Sequence, residues 1–224
     1  MCKGVKVKIC GVTNLEDAKL AALGADYIGI LVNVAISPRS ITVAQANEII
    51  ANISLPVVIL VYKLPAHELE NLIAEVNPFA VQFVVEEDAS LIKVLKEKFP
   101  MLQLWQSIHI PADGEFSIKQ IWQTANEYVL AGVDVILLDT VVSTGIEKQF
   151  GGTGRTSNWD IVKEIIPHIN VPVFLAGGLN PDNVALAVEM LQPVGVDVSS
   201  GVEITKGQKD PLKLSLFIKN ARNI

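Results

Sequence analysis

Cysteine is nearly missing from this chain: Cys2 and Cys10 are the only two among 224 residues. Two thiols so close together cannot staple a disulfide framework, so a reducing compartment is expected. Histidine is almost as scarce, with His67, His109 and His168 alone, and no Cys or His spacing resembles a zinc site, so no metal is expected. Basic charge is also short. Against 24 Asp and Glu stand 18 Lys and Arg, a formal net charge of -6; with no long basic run, general attraction to nucleic acid or to an anionic membrane is not expected. Any anionic ligand must be held by a local site. Long apolar runs are absent too: the most apolar segment, YIGILVNVAI, is far shorter than the roughly 20 residues that span a bilayer. The start, MCKGVKVKIC, lacks the apolar core of a signal peptide, and a cytoplasmic location is expected.

What the chain does have is core material. Half of its residues are apolar and 19% are charged, the balance of a globular protein rather than a disordered one. Short runs rich in Val, Ile and Leu recur at Val5–Cys10, Tyr27–Val32, Val57–Tyr62, Ala80–Val85, Leu102–Gln106, Val135–Leu138, Val171–Ala176 and Val196–Val198. Without strict alternation, they read as strands buried on both faces. Helical patterns lie between them: LEDAKLAALG after the capping pair Asn14 and Asp17, with Gly24 as its stop, then TVAQANEIIAN, PAHELENLIAEV, ASLIKVLKEKF, IKQIWQTANEYVLAG, WDIVKEIIPHI, PDNVALAVEML and DPLKLSLFIKNA. Pro65 and Pro181 fit first helical turns. Eight alternations without a change of composition predict an α/β fold, a single-domain (β/α)8 TIM barrel over residues 1–224. Two connections, HIPADGEFS and TVVSTGIEKQFGGTGRTSN, are predicted as long loops on the face where such barrels carry function.

Three glycine-rich words fall after late strands. LAGGLNP and VDVSSGVE follow the seventh and eighth, where barrels commonly build a phosphate site from loop amides, and they nominate Gly177, Gly178, Ser200 and Gly201. Plain tight turns are the competing reading. FGGTGRTSNWD lacks the spacing of a nucleotide-triphosphate loop; Gly152 and Gly154 fit better as a wall with backbone donors for a second anionic group. Just upstream, LLDT ends a strand in Asp139, a carboxylate aimed at the barrel mouth where partial burial favours its proton-donating form. Cys10, ending the first strand in KICG, is either a buried filler or a reactive thiol. Paired with Asp139 across the mouth, it becomes a candidate base facing a candidate acid.

In order and spacing, KICGVTNLEDA, GADYIGI, SPRSI, LLDT, FGGTGRTSNWD, LAGGLNPDNV, GVDVSSGVE and KGQKD resemble the phosphoribosylanthranilate isomerase family of tryptophan biosynthesis. The resemblance implies a (β/α)8 barrel that performs an Amadori rearrangement of a phosphorylated aminoaldose into an aminoketose, with no cofactor. It implies Cys10 as general base, Asp139 as general acid and Arg39 as the group that holds the anthranilate carboxylate. A small phosphosugar is the implied partner; apolar helix faces serve a core and an interface equally, so a homodimer stays open.

The middle of the chain departs from the family's pattern. Where Gln-Leu-His-Gly is usual, this chain reads Gln82, Phe83, Val84, Val85; where phenylalanines are usual it has Ile30, Val32 and Asn33; and the fifth strand reads LQLWQSIHI where a lysine is more usual. These positions are expected on the rim that faces the substrate's ring and sugar. The competing readings are a paralogue for another phosphorylated aminosugar and a phosphosugar-binding barrel without catalysis; the second would have no use for both Cys10 and Asp139.

Overall fold

The computed structural model describes residues 4–111, 117–144, 147–150 and 159–222. Its strands are β1 (Lys6–Ile9), β2 (Tyr27–Val32), β3 (Ser40–Ile41), β4 (Val57–Val61), β5 (Ala80–Phe83), β6 (Gln103–Pro111), β7 (Val135–Thr144), β8 (Glu147–Phe150), β9 (Val173–Leu175), β10 (Gly195–Val198), β11 (Glu203–Thr205) and β12 (Gln208–Lys209). The helices are α1 (Leu15–Ala22), α2 (Val43–Asn52), α3 (Ala66–Val76), α4 (Ala89–Lys98), α5 (Ile118–Ala131), α6 (Trp159–Ile165), α7 (Val184–Leu191) and α8 (Pro211–Arg222). In the order β1, β2, β4, β5, β6, β7, β9, β10, eight strands pair in parallel, and β10 closes on β1. The fold is therefore the predicted (β/α)8 barrel.

Strand parity sorts the side chains into two cores. Successive residues of a strand point to opposite faces, and the outward set, including Val7, Ile9, Ile28, Ile30, Ile59, Val81 and Phe83, packs beneath the helices. The inward set begins with a small plug of Val58, Ala80, Trp105, Val135, Leu137 and Phe174, with Tyr27 against it. Trp105 packs tilted against Phe174 at 5.0 Å and edge-on against Tyr27 at 5.2 Å. These rings fill one end of the barrel and leave polar residues for the other. Gly195 makes room for them: a Cβ there would overlap the Phe174 ring. Gly195→Ala is expected to cost about 1–3 kcal/mol through overpacking, read as a lower urea midpoint with an unchanged denaturant slope.

Local signals act as their chemistry suggests. The Asn14 side chain accepts from the Asp17 amide at 2.8 Å and starts α1, while Thr42 and Gln45 form a reciprocal capping box on α2. Gly132, at φ 104°, caps the end of α5 in the left-handed region. Three sequence expectations shift. Gly24 does not close α1; Leu23 caps it in a right-handed conformation, with its amide on Leu20 and Ala21 carbonyls. Pro65 is the N-cap of α3 rather than a first-turn residue, and Pro181 precedes α7, whose N-cap is Asn183. The two late loops begin later than their polarity suggests. β6 continues through His109 to Pro111, and β7 passes Asp139 to Thr144 before turning back antiparallel into β8. Their mutual ladder runs from Trp105↔Val135 to Pro111↔Val141.

Candidate active site

One cavity at the C-terminal ends of the barrel strands gathers residues from every barrel strand or the loop after it. Its lining includes Cys10, Leu31, Arg39, Gln82, Val84, Ser107, Asp139, Gly177, Gly178, Asp197, Ser199 and Ser200. Both sequence candidates for acid and base are thus on its wall. Cys10 follows β1, where its amide donates to the Val198 carbonyl of β10 at 2.8 Å, and it is 6% exposed. Gly11 then turns the chain at φ 69°, and a Cβ there would collide with the Arg39 stem and the Ser199 hydroxyl. That glycine is what lets Arg39 lie across the cavity rim.

Beneath the mouth is a charge pair that the sequence reading passed over. Lys8, two residues before Cys10 and so on the same inward face, is fully buried, and its ammonium donates to Asp197 Oδ1 at 3.0 Å. Lys8 and Asp197 are register partners on adjacent strands β1 and β10. Burial works against the Lys8 charge, but Asp197 and then Cys10 outweigh it and hold the ammonium's pKa above its usual range. For Cys10, burial pushes the thiol up, Lys8 pulls it down, Asp197 opposes that pull and Lys209 assists it; the balance stays upward. The second of two lysines in β1 (KVKI), two positions before a candidate thiol, was the available signal.

A second network fixes Arg39. Its Nε and Nη2 donate to the two carboxylate oxygens of Glu203 at 2.8 and 2.6 Å, a fork that raises the Arg39 pKa further, chiefly through that hydrogen bond. Buried Lys209 donates at 3.0 Å to Glu203 Oε1, the oxygen that also accepts from Arg39 Nε, and to the Cys10 carbonyl. Burial alone would raise the Glu203 carboxyl, yet Arg39 and Lys209 hold it below its usual range. Planar donors of the guanidinium not taken by Glu203 remain for an anion.

After β9, Gly177 and Gly178 adopt φ 86° and 67°, a conformation that glycine enters without a Cβ penalty. Asn183 donates to the Gly178 carbonyl at 3.0 Å and accepts from the Asn180 amide at 2.9 Å, so the NPDN word braces the loop. Gly177, Gly178 and Ser200 line the cavity. Gly201 does not. It packs against the backbone, where a Cβ would overlap the Leu179 carbonyl, so its role is to let the Ser200–Val202 turn press against the glycine loop. Gly152 and Gly154 lie outside the described residues.

The altered rim is smaller than expected. Parity turns Ile30 and Phe83 outward into the barrel–helix core, because Leu31, Gln82 and Val84 take the inward positions. Asn33 is exposed at φ 55°, and Val85 is buried while its carbonyl accepts from Gln106 at 3.0 Å. Of the departures Ile30, Asn33, Phe83, Val84 and Val85, only Val84 lines the cavity; its carbonyl is bridged by His109 Nε2 at 2.7 Å. At the cavity floor, Gln82 donates to the Ser107 hydroxyl at 3.1 Å. Among the described residues, no group of three or more His, Cys, Asp or Glu is placed to hold a metal ion, and no helix is long and apolar enough to cross a membrane.

The same architecture recurs in characterised proteins. Residues 7–220 match the family described as N-(5'phosphoribosyl)anthranilate (PRA) isomerase. An N-(5'-phosphoribosyl)anthranilate isomerase from Methanocella arvoryzae is 40% identical over 221 residues, 97% of this chain and 98% of the relative. One from Aquifex aeolicus is 39% identical, covering 98% of this chain and 99% of its own. Among solved structures, the phosphoribosyl anthranilate isomerase of Thermotoga maritima superposes with a TM-score of 0.84 at 30% identity, over 98% of this chain and 100% of that one. Another, in complex with reduced 1-(o-carboxyphenylamino)-1-deoxyribulose 5-phosphate, gives 0.80 at 29% identity over the same shares. With the match running from β1 into α8, the chain belongs to the N-(5'-phosphoribosyl)anthranilate isomerase family.

Proposed function

We propose that this protein isomerises N-(5'-phosphoribosyl)anthranilate to 1-(2-carboxyphenylamino)-1-deoxyribulose 5-phosphate, with Cys10 as general base and Asp139 as general acid. The observation that carries the assignment is one cavity lined at once by a thiol, a carboxyl group, a guanidinium and two left-handed glycines. The reaction moves protons and no electrons to an external acceptor, so an acid and a base suffice and no cofactor is called for. Asp139 protonates the furanose ring oxygen; the C1'–O bond breaks as the nitrogen lone pair forms a protonated Schiff base. Cys10, as thiolate, removes the proton from C2', and its electron pair forms the C1'–C2' double bond while neutralising the nitrogen. The resulting enolamine takes a proton at C1' and loses one from the C2' hydroxyl, giving the ketone.

Charge placement suits that sequence. The Schiff base is a cation, and it favours the thiolate at the moment the thiolate is needed, opposing the burial that pushes Cys10 up. Arg39 receives the anthranilate carboxylate, and the amides around Gly177, Gly178 and Ser200 receive the phosphate. A cytoplasmic location belongs to the same proposal.

The direct test is turnover of phosphoribosylanthranilate, generated in situ because it is labile and followed by loss of its anthranilate-type fluorescence. No turnover by folded protein would leave the barrel as a binding module. The phosphate end has its own test. Gly178→Asp introduces a carboxylate at a position whose left-handed backbone Asp tolerates better than most residues, and it is expected to weaken phosphosugar binding at least about tenfold by charge repulsion. Unchanged affinity places the phosphate elsewhere.

A further inference from the structure

The family's acid and base leave unexplained why a barrel would bury a lysine ammonium directly beneath its catalytic thiol. Lys8 is fully buried, and Asp197 at 3.0 Å supplies one oxygen for its charge. The other side of the ammonium faces Cys10. A Cβ built on Gly29 would lie 2.9 Å from Lys8 Nζ and 3.0 Å from Cys10 Sγ, so both atoms crowd the same bare glycine on β2, and the ammonium and the thiol share one buried space in which a charge on either favours the opposite charge on the other. Any side chain at position 29 would enter this space. The arrangement is a row of three inward groups, Asp197, Lys8 and Cys10, carried by two register-paired strands.

We propose that Lys8, clamped by Asp197, is the charge partner that makes the Cys10 thiolate available, keeping its own proton throughout the reaction and acting only through the sulfur. Lys8 is thus a positioning residue. The inference rests on the reading of Cys10 as the general base. The balance of charges around the sulfur supports it. From β1 and β10 the thiol faces Lys8 and Asp197; from β12, Lys209 approaches the Cys10 carbonyl; from the loop after β2, Arg39 interacts favourably with a charged Cys10; and Asp139 shares the cavity from β7. Among these, Lys8 offsets the burial of the thiol most strongly, and Asp197 counteracts it less. A carboxylate alone at Asp197 would repel a thiolate. Bound to Lys8, it fixes the ammonium in place at the cost of part of its field, which explains why a buried cation is paired here without being wholly neutralised.

The sign of the effect is fixed by the chemistry. The active form of the base is the thiolate, so kcat/KM rises with pH through the thiol's apparent pKa. Removing Lys8 raises that pKa and moves the rising limb to higher pH. The experiment uses Cys2→Ser protein, so that Cys10 is the sole thiol, and measures two pH profiles: the rate of alkylation by iodoacetamide and kcat/KM. Lys8→Met leaves Asp197 buried without its partner, so the double variant Lys8→Met/Asp197→Asn, which removes the pair as a unit, is measured beside it. In both, the alkylation limb is expected to shift by at least about one pH unit to the alkaline side, lowering the rate at pH 7 roughly tenfold and recovering at high pH. The kcat/KM limb should follow. Limbs that stay where they are in the folded double variant, or a loss of equal factor at every pH, overturn the proposal and return Lys8 to a purely structural role. An alkylation limb that shifts while kcat/KM does not supports the pairing and instead removes Cys10 from the role of base, which separates the two failures.

Discussion

Cys10→Ser and Asp139→Asn are each expected to lower kcat at least about a hundredfold, the range typical of losing a positioned acid or base, while the barrel stays folded. In the proposed mechanism the two act on opposite ends of one electron movement: Asp139 on the ring oxygen that leaves, Cys10 on the carbon proton that follows. Serine fills nearly the same space as cysteine but is a much weaker acid, so the Lys8 ammonium cannot draw an alkoxide from it at neutral pH. Asparagine keeps the shape of Asp139 and has no carboxylic proton to give. Single-turnover fluorescence decay with in situ substrate measures both, with far-ultraviolet circular dichroism as the folding control. Near wild-type turnover in Cys10→Ser would return the thiol to the core. Near wild-type turnover in Asp139→Asn would move the acid to another group.

Arg39→Met is expected to raise KM by roughly ten- to a hundredfold with a smaller change in kcat, the loss of a charge-assisted contact of about 1.5–3 kcal/mol. Methionine retains much of the stem that crosses Gly11 and removes only the planar charge. Glu203 remains paired with Lys209 at 3.0 Å in that variant, so the site does not lose its supporting carboxylate's last partner. The sharper measurement compares two product analogues, one with the anthranilate carboxylate and one with the amide. Wild type should bind the acid much the better, and Arg39→Met should bind both alike. Equal binding of acid and amide by wild type would place the anthranilate carboxylate away from Arg39 and would point to another phosphorylated aminosugar as substrate. That Ile30, Asn33, Phe83 and Val85 do not line the cavity, while Val84 and, from LQLWQSIHI, Ser107 do, favours the first result.

The barrel was legible because its signals are local and repeated: eight apolar runs separated by helical patterns, each with its own caps. That Cys10, Asp139 and the glycine loop would meet was legible because strand ends can be read from where apolar runs stop, and in a (β/α)8 barrel those ends converge. The rim was misread for a related reason. Ile30 and Phe83 were assigned to the substrate side by their place in a family pattern, whereas the two-residue alternation of a strand sends one of each neighbouring pair outward, and which one depends on where the strand pairs.

By itself, then, the order of residues determined the architecture and the chemical types at the cavity mouth, since both follow from periodicity and from short words such as KICG, LLDT and LAGG. Only the tertiary structure decided which charges meet. Lys8 and Asp197 are 189 residues apart, Arg39 and Glu203 are 164 apart, and Lys209 reaches the Cys10 carbonyl across 199. No local rule couples such positions. Closure of the barrel does, by bringing the first and last barrel strands into register, so that a lysine which alone could not bear burial finds its carboxylate and is held beneath the thiol.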